Sequence, residues 1–277
     1  MRNLHQYYYQ KYFEDISFDY LIREQEKAPA NVVDKIKDRN RVLTGTEYTN
    51  GSRKPNVIPE APFKDDVLTK IPLEIMYPGL VTGIGTKHET KIEGEFKLGM
   101  HFDWTRGMPV VYGSSVKGVL RSAFIAKVHD GKIVKYEDYF LKIVKPDFIW
   151  DEKSIKMLFN ALFEGKGREG NNIPIYDRDI FFDAVIVEAD PKDRILCPDS
   201  ITPHGDNPLK NPRPLTFVKI APGCKMEFRF KLNKTEVVND QGKKICFDEA
   251  AKKELFRIIL TTVGAGAKTN VGYGQFK

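Results

Sequence analysis

The chain has 277 residues, 41% of them hydrophobic and 12% aromatic, which is enough to bury a sizeable core as one large domain or two small ones. Its 44 Lys and Arg against 38 Asp and Glu give a formal charge of +6, which favours a polyanionic partner without requiring one. No apolar run approaches the roughly 20 residues of a membrane span, and the first residues lack the apolar segment of a targeting peptide. We therefore expect a cytoplasmic protein with no membrane partner.

The three cysteines, Cys197, Cys224 and Cys246, are widely separated and odd in number. None has a cysteine or histidine neighbour at the spacing of a metal site, so they indicate neither a disulfide framework nor a zinc site. The sequence predicts no cofactor.

Residues 1–70 are predicted to form a helical N-terminal extension followed by a linker. Tyr8 and Tyr12 belong to an aromatic-rich start, which we interpret as a helical cap packing its rings on the domain. Residues 31–43 form a charged amphipathic stretch, and residues 44–70 contain the glycines and prolines of a loop.

From residue 71 onward the pattern becomes that of β-structure, with apolar and charged residues alternating in several segments. We predict strands at 71–77 and 180–188, a bent hairpin at 83–104, and a hairpin of 215–220 with 225–232 about Pro222-Gly223.

Two insertions are expected within residues 71–277. The first, at about 130–175, is charged and predicted to be helical, with His129 at the end of a preceding helix. The second, at about 195–215, is rich in Pro, Asn, Asp and Gly and is predicted to be a long irregular loop that carries His204.

The first motif that suggests chemistry is a short strand at 110–112 that turns into a helix. Gly113 provides the turn, Ser114 or Ser115 can cap the helix, and Lys117 and Arg121 fall on one helix face. A helix N-terminus beside two cations suits a phosphate group. An ordinary capped surface helix is the alternative.

The second motif is a glycine loop near the end of the chain, between a helix predicted at 247–263 and a last strand at 271–276. Bare backbone N–H groups and missing Cβ atoms would let a phosphate approach closely. Its candidate residues are Gly264, Gly266, Lys268, Thr269, Asn270, Gly272, Tyr273 and Gly274. A nucleotide-binding P-loop is disfavoured, because Ala267 stands where that motif has glycine and no helix follows. A tight turn without a ligand remains the alternative.

The order strand, helix, paired strands, helix, glycine loop and strand is that of an α+β, ferredoxin-like (RRM-like) fold. The two motifs in this order resemble the RAMP superfamily of CRISPR-associated RNA-binding proteins. Residues 77–85, 93–99, 199–204 and 214–217, with His88, are similar to the terminal RAMP subunit, the sixth of its set, of the type III-B (Cmr) effector complex. The resemblance covers about residues 73–276, but Gly205-Asp206 departs from the family pattern after Thr-Pro-His.

This resemblance implies a non-catalytic subunit that caps the guide-RNA 3′ end of the filament and contributes to target RNA binding in antiviral defence. Its partners would be guide RNA (crRNA), target RNA and other Cmr subunits, namely the backbone RAMP subunit, the small helical subunit and a neighbouring terminal RAMP subunit. The RNA-binding residues would be Gly113, Ser114, Ser115, Lys117, Arg121, His204, Gly264, Gly266, Lys268, Thr269, Asn270 and Tyr273.

Catalysis is the main alternative, because other RAMP proteins are metal-independent endoribonucleases that process guide precursors. Such cleavage needs a general base and acid near a 2′-hydroxyl, and His88 and His204 in loops stay open for that role. A metal nuclease and an RRM-type single-strand module are disfavoured, since neither clustered carboxylates nor the paired aromatics of an RRM strand can be identified.

Overall fold

The computed structural model describes residues 3–23, 27–60, 63–64, 67–83, 90–96, 100–202 and 214–277. Within these residues the α-helices are α1 (Leu4–Gln6), α2 (Asp19–Ile22), α3 (Ala30–Leu43), α4 (Gly113–Ser122), α5 (Tyr139–Val144), α6 (Glu152–Phe159) and α7 (Glu249–Val263). The strands are β1 (Thr69–Glu74), β2 (Val110–Val111), β3 (Ile125–His129), β4 (Lys132–Tyr136), β5 (Ile180–Phe181), β6 (Ala184–Glu188), β7 (Leu196–Ile201), β8 (Leu215–Ile220), β9 (Lys225–Lys231), β10 (Thr235–Val238) and β11 (Lys244–Phe247).

The main sheet is antiparallel and has the order β1-β9-β6-β2, with β5 also paired to β9. On the free side of β1, an isolated bridge joins Ile75 to Phe276, and Glu74 and Lys277 exchange backbone hydrogen bonds. Helix α4 precedes β6 in sequence, and α7 follows β9 and the β10–β11 hairpin and leads to this terminal segment. This order and pairing are those of a ferredoxin-like βαββαβ unit, so the predicted α+β fold is confirmed.

One face of the sheet forms the core with α7. Alternation along β9 buries Met226, Phe228 and Phe230, and the ring of Phe230 lies 5.1 Å from that of Phe256 on α7. The helix begins where Asp248 accepts a hydrogen bond of 2.9 Å from the Ala251 N–H. Apolar residues then recur at helical spacing and are fully buried, as the sequence predicts.

The N-terminal extension is helical and packs into the same core. Tyr8 and Tyr12 are buried in one hydrophobic cluster with the residues of the main sheet. The Tyr12 hydroxyl lies 2.6 Å from Asn40 Oδ1 on α3, whose buried residues include Ile36. The extension is therefore a cap that shares its core with the rest of the chain.

The linker after α3 crosses the second face of the sheet. Arg53 forms an ion pair of 2.7 Å with Glu188 on β6, and Arg229 on β9 donates to the Pro59 carbonyl oxygen. Farther along, Lys231 Nζ lies 5.8 Å from the centre of the Phe63 ring. The linker therefore covers part of the sheet face that corresponds to the base-stacking face of RRM modules.

The predicted hairpin of residues 215–220 with 225–232 is wrong. Strand β8 pairs instead with β7, and β9 enters the main sheet beside β1. The turn at Gly223 does exist, with a φ of 86°, but alternation identifies a strand without identifying its partner. Strand β7 also replaces part of the irregular loop predicted at 195–215, and residues 203–213 lie outside the described residues.

The insertion at about 130–175 is not helical throughout. The β3–β4 hairpin spans its start, with β3 before residue 130 and β4 after it. His129 is therefore the last residue of a strand and not of a helix. Asp130 and Gly131 have φ values of 47° and 73° at the turn. Asp-Gly between two segments with apolar residues such as Val128 and Ile133 is a strong hairpin signal, and it was available in the sequence.

Two other predicted β-segments are shorter than expected or lie partly outside the described residues. In the range 83–104, the described residues include no named strand, and His101 lies beside an isolated bridge of Phe102 to Pro109; residues 84–89 and 97–99 are not described. The last strand is reduced to the bridge at Phe276, because Thr269–Val271 forms a 3-10 turn.

Candidate nucleic-acid interface

The glycine loop is held mainly by hydrogen bonds to the segment after β1. The Ala267 N–H donates to the Val81 carbonyl oxygen at 2.7 Å, and the Gly274 N–H donates to that of Gly79 at 2.8 Å. Within the loop, the Ala265 N–H donates to the Gly274 carbonyl oxygen at 2.9 Å. Most of the loop's N–H groups therefore serve the fold, contrary to the expectation that they are bare.

Three of the four loop glycines are required by the chain's own packing. A Cβ on Gly264 or on Gly266 would lie 2.5 Å from the carbonyl oxygen of Gly274 or of Val81, respectively. A Cβ on Gly274 would overlap the Ala265 carbonyl oxygen. Only at Gly272 is there space, since the nearest atom is Pro78 Cδ at 3.7 Å. Internal packing thus accounts for three of these glycines, and their contact with a phosphate stays a prediction.

One corner of the loop retains the character of an anion site. The backbone of Lys268 has a left-handed conformation, with a φ of 62°, and the 3-10 turn Thr269–Val271 follows it. Among the described residues, no acceptor contacts the N–H groups of Lys268, Thr269 and Asn270, and no carboxylate pairs with the Lys268 side chain. Lys268 and Asn270 are exposed. Successive N–H groups in such a turn form a concave donor surface suited to a phosphate.

Tyr273 is one of the residues that the family resemblance implies for RNA binding. It is buried, and its hydroxyl donates to Asp199 Oδ2 at 2.7 Å. The same carboxylate oxygen accepts a hydrogen bond from Lys219 Nζ, which lies 5.5 Å from the Tyr273 ring centre. These three side chains tie the glycine loop to the β7–β8 hairpin.

The charges of this cluster reinforce each other. Burial alone would raise the pKa of Asp199, but the hydrogen bonds from Lys219 and Tyr273 outweigh it and hold the pKa below its ordinary value. Burial and the hydrogen bond to this carboxylate raise the pKa of Tyr273 above that of a free phenol. The phenol therefore stays neutral and is engaged as a donor at physiological pH.

In the first motif, the start of helix α4 donates a hydrogen bond to a carboxylate of the protein itself. The Gly113 N–H donates to Asp183 Oδ1 at 2.7 Å, and helix α4 begins at Gly113 without a side-chain cap, so neither Ser114 nor Ser115 is the N-cap. Both serines are exposed. A Cβ on Gly113 would overlap the Phe181 carbonyl oxygen. The helix dipole here already faces a negative charge, which opposes binding of a phosphate.

The two cations of the first motif have partners within the chain. Arg121 forms an ion pair of 2.8 Å with Glu164 and lies 5.2 Å from the Phe159 ring centre. Lys117 Nζ lies 5.8 Å from the ring centre of Phe181. Lys117 is thus the freer of the two.

The two motifs do not form a single site. Helix α4 follows β2 at one edge of the sheet, whereas the glycine loop leads to the bridge at Phe276 at the other edge. Gly113 contacts Asp183 just before β6, whereas the loop contacts Gly79 and Val81 beyond the end of β1. Because β1 and β6 are both antiparallel to β9, these contacts lie at opposite ends of the sheet. The expectation that both motifs meet at the centre of the sheet is therefore wrong.

The family model of the RAMP superfamily matches residues 72–277. The chain belongs to the RAMP superfamily. No curated protein sequence matches this RAMP protein significantly. Among solved structures, it is similar to a chain of the "Type III-B Cmr-beta bound to cognate target RNA", with 21% identity, a TM-score of 0.46 and coverage of 76% of this chain and 57% of that one. It is also similar to Cmr6 from Pyrococcus furiosus, with 19% identity, a TM-score of 0.40 and coverage of 76% and 97%. This chain thus spans little more than half the length of the first of these structures.

Sequence reasoning missed Lys219 and Tyr77 in this RAMP protein. Lys219 is only 6% exposed, yet a lysine within an alternating strand is normally taken as solvent-facing, so no sequence signal marked it. Tyr77 is 84% exposed beside the glycine loop, and the sequence marks it only as the first residue of the family-like segment 77–85. His88 and His204 lie outside the described residues.

Two general features of the described residues bear on function. No helix there is long and apolar enough to cross a membrane. No group of three or more His, Cys, Asp and Glu in the described part of this RAMP protein could hold a metal ion.

Proposed function

We propose that this RAMP protein is a non-catalytic RNA-binding subunit of a type III-B CRISPR (Cmr) RNA-guided effector complex. It caps the filament at the 3′ end of the guide RNA and contributes to target RNA binding in antiviral defence. Its neighbours are the backbone RAMP subunit, the small helical subunit and another terminal RAMP subunit. Membership of the superfamily and the Cmr-like motifs at 77–85 and 199–204 support this proposal.

The observation that carries the RNA-binding part is the corner formed by Lys268, Thr269 and Asn270. It offers three N–H donors and an ammonium group at an exposed turn, without an acceptor among the described residues. Phosphate contacts of this kind are indifferent to base sequence and weaken as salt rises. We therefore expect the protein to bind unrelated single strands with similar affinity.

The test is the salt dependence of RNA binding by the wild-type chain and two charge-matched variants. Lys268→Ala should weaken binding and flatten the slope of log affinity against log salt by about 0.7, the value for one phosphate contact on a single strand. Lys253→Ala removes an exposed lysine from the first turns of α7, about 15 Å of helix away from the loop, and should change neither quantity. Equal behaviour of the two variants would contradict the phosphate contact at Lys268.

Membership of the effector complex is tested separately. The purified chain should co-migrate with guide RNA and the other Cmr subunits, and exclusion from that assembly would contradict the proposal. The alternative function is a metal-independent endoribonuclease, and incubation with guide precursor and target RNA decides between them. We expect no products, whereas products that disappear in His88→Ala or His204→Ala would establish the enzyme.

A further inference from the structure

Tyr77 is a large aromatic side chain that the fold keeps in solvent beside the glycine loop. It is 84% exposed, although its chain neighbours Ile75 and Leu80 are fully buried. The backbone on both sides is fixed to the end of the chain, because the Met76 N–H donates to the Gln275 carbonyl oxygen at 2.9 Å and the Gly274 N–H donates to Gly79 at 2.8 Å. The ring therefore projects from an anchored turn.

A lysine ammonium group lies beside this ring. Lys219 Nζ lies 5.9 Å from the Tyr77 ring centre, and it is held there by the ion pair with Asp199. The side chain of Lys219 is 8% exposed, so a nearly buried ammonium group supports the ring from the protein side. The rest of the ring surface is open to solvent.

The turn that carries the ring packs on the glycine loop close to the corner with the unpaired N–H groups. The open side of Gly272 faces Pro78, with 3.7 Å between the position of a Cβ and Pro78 Cδ. Lys268, Thr269 and Asn270 precede Gly272 by two to four residues. The exposed ring and the donor surface thus belong to two segments that are in contact.

Two other strongly exposed aromatic residues in the described part of the chain lack this combination. Trp104 is 74% exposed but contacts the His5 ring, with 4.7 Å between the ring centres. Tyr176 is 81% exposed in the short 3-10 turn Ile175–Asp177, whose carbonyl oxygen at Tyr176 accepts a hydrogen bond from Lys231. Tyr176 is therefore a matched control of the same residue type and exposure.

We propose that Tyr77 is a stacking platform for an RNA base whose neighbouring phosphate is bound at Lys268, Thr269 and Asn270. This inference rests on the proposed function and extends it from phosphate contacts to a base contact. Stacking on one ring tolerates any base, because each base has a π-face, so the site adds affinity without reading sequence. The Lys219 ammonium positions the ring and does not contact the RNA.

The experiment measures binding of a single-stranded RNA and of the same strand made of abasic residues. Tyr77→Ala should weaken binding of the ordinary strand roughly five- to 150-fold, the range for loss of one stacked base. It should leave binding of the abasic strand and the salt slope unchanged, since it removes no phosphate contact. Tyr77→Phe should retain wild-type affinity, and Tyr176→Ala should bind both strands like the wild type.

The outcomes separate this inference from the proposed function. If Lys268→Ala weakens binding and Tyr77→Ala does not, or if Tyr77→Ala weakens both strands equally, the stacking platform is refuted while the phosphate site stands. If the wild-type chain binds no RNA, both are refuted. Thermal melts should be unchanged in the Tyr77 variants, because the side chain is exposed and contributes little to the core.

Discussion

Gly266 and Gly272 offer a test of why the loop contains glycines, because their φ values are almost equal, at 89° and 92°. Substituting alanine at either position places a side chain in a left-handed backbone, which costs about 1–2 kcal/mol. This backbone cost is the same in both variants and does not contribute to the difference between them. The difference between them then measures the space around the Cβ atom.

The space differs by more than 1 Å. At Gly266 the Cβ would lie 2.5 Å from the Val81 carbonyl oxygen, so about 0.9 Å of movement is needed to reach 3.4 Å, the start of ordinary contact. That oxygen accepts the 2.7 Å hydrogen bond from Ala267, which such a movement would break. A lost hydrogen bond and an unsatisfied polar group together cost about 2–4 kcal/mol. At Gly272 the closest atom is 3.7 Å away, and no such loss is expected.

We therefore expect Gly266→Ala to melt roughly 4–16 °C below Gly272→Ala, at about 2–4 °C per kcal/mol. Calorimetry of the RNA-free proteins measures this directly. Equal melting temperatures for the two variants would refute the reasoning that Gly266 is required by the approach of Val81. The presence of glycine at position 266 would then have to be explained by contact with a ligand.

Two further predictions concern carboxylates at the motifs. Asp183→Ala should lower the free energy of unfolding by about 0.5–2 kcal/mol in urea titrations, because it removes the acceptor of the Gly113 N–H. The control, Asp177→Ala at an exposed position, should have no effect. Equal effects of the two substitutions would contradict the role of Asp183 at α4. Asp199→Asn leaves the nearly buried Lys219 without its counter-charge and should cost about 3 kcal/mol at pH 7. Since the folded pKa of Asp199 is lowered, its contribution is fully present above the unfolded pKa near 3.8 and is lost as pH falls through the folded pKa. The variant and the wild type should therefore converge below about pH 4 in thermal melts, and a pH-independent difference would contradict this assignment.

The helices and the order of the main elements could be predicted from the sequence because they depend on local patterns. Helix α7 has a cap at Asp248 and apolar residues at helical spacing, and both signals are local. The fold class followed from the order of these elements. By contrast, the pairing of β8 with β7 depends on contacts between distant segments, for which alternation carries no information.

The surroundings of the candidate residues could be predicted from the sequence only in part. Lys268, Thr269 and Asn270 do lie at an exposed corner, whereas Tyr273 is buried by its hydrogen bond to Asp199, 74 residues away. A tyrosine between two glycines gives no indication of such a partner. The role of Lys219 was hidden for the same reason, since its burial depends on three segments that are remote in sequence.

The two anion-site motifs thus differ in how far carboxylates of the protein itself compensate their positive groups. At α4 the Gly113 N–H donates to Asp183 and Arg121 is paired with Glu164, so of the two cations only Lys117 lacks a carboxylate partner among the described residues. At the glycine loop the internal carboxylate, Asp199, is satisfied by Lys219 and Tyr273 and leaves Lys268 unpaired within the described residues. A polyanion gains more where positive groups are not already compensated. The terminal loop is therefore the place at which a phosphate chain would be held, with Tyr77 beside it to receive a base.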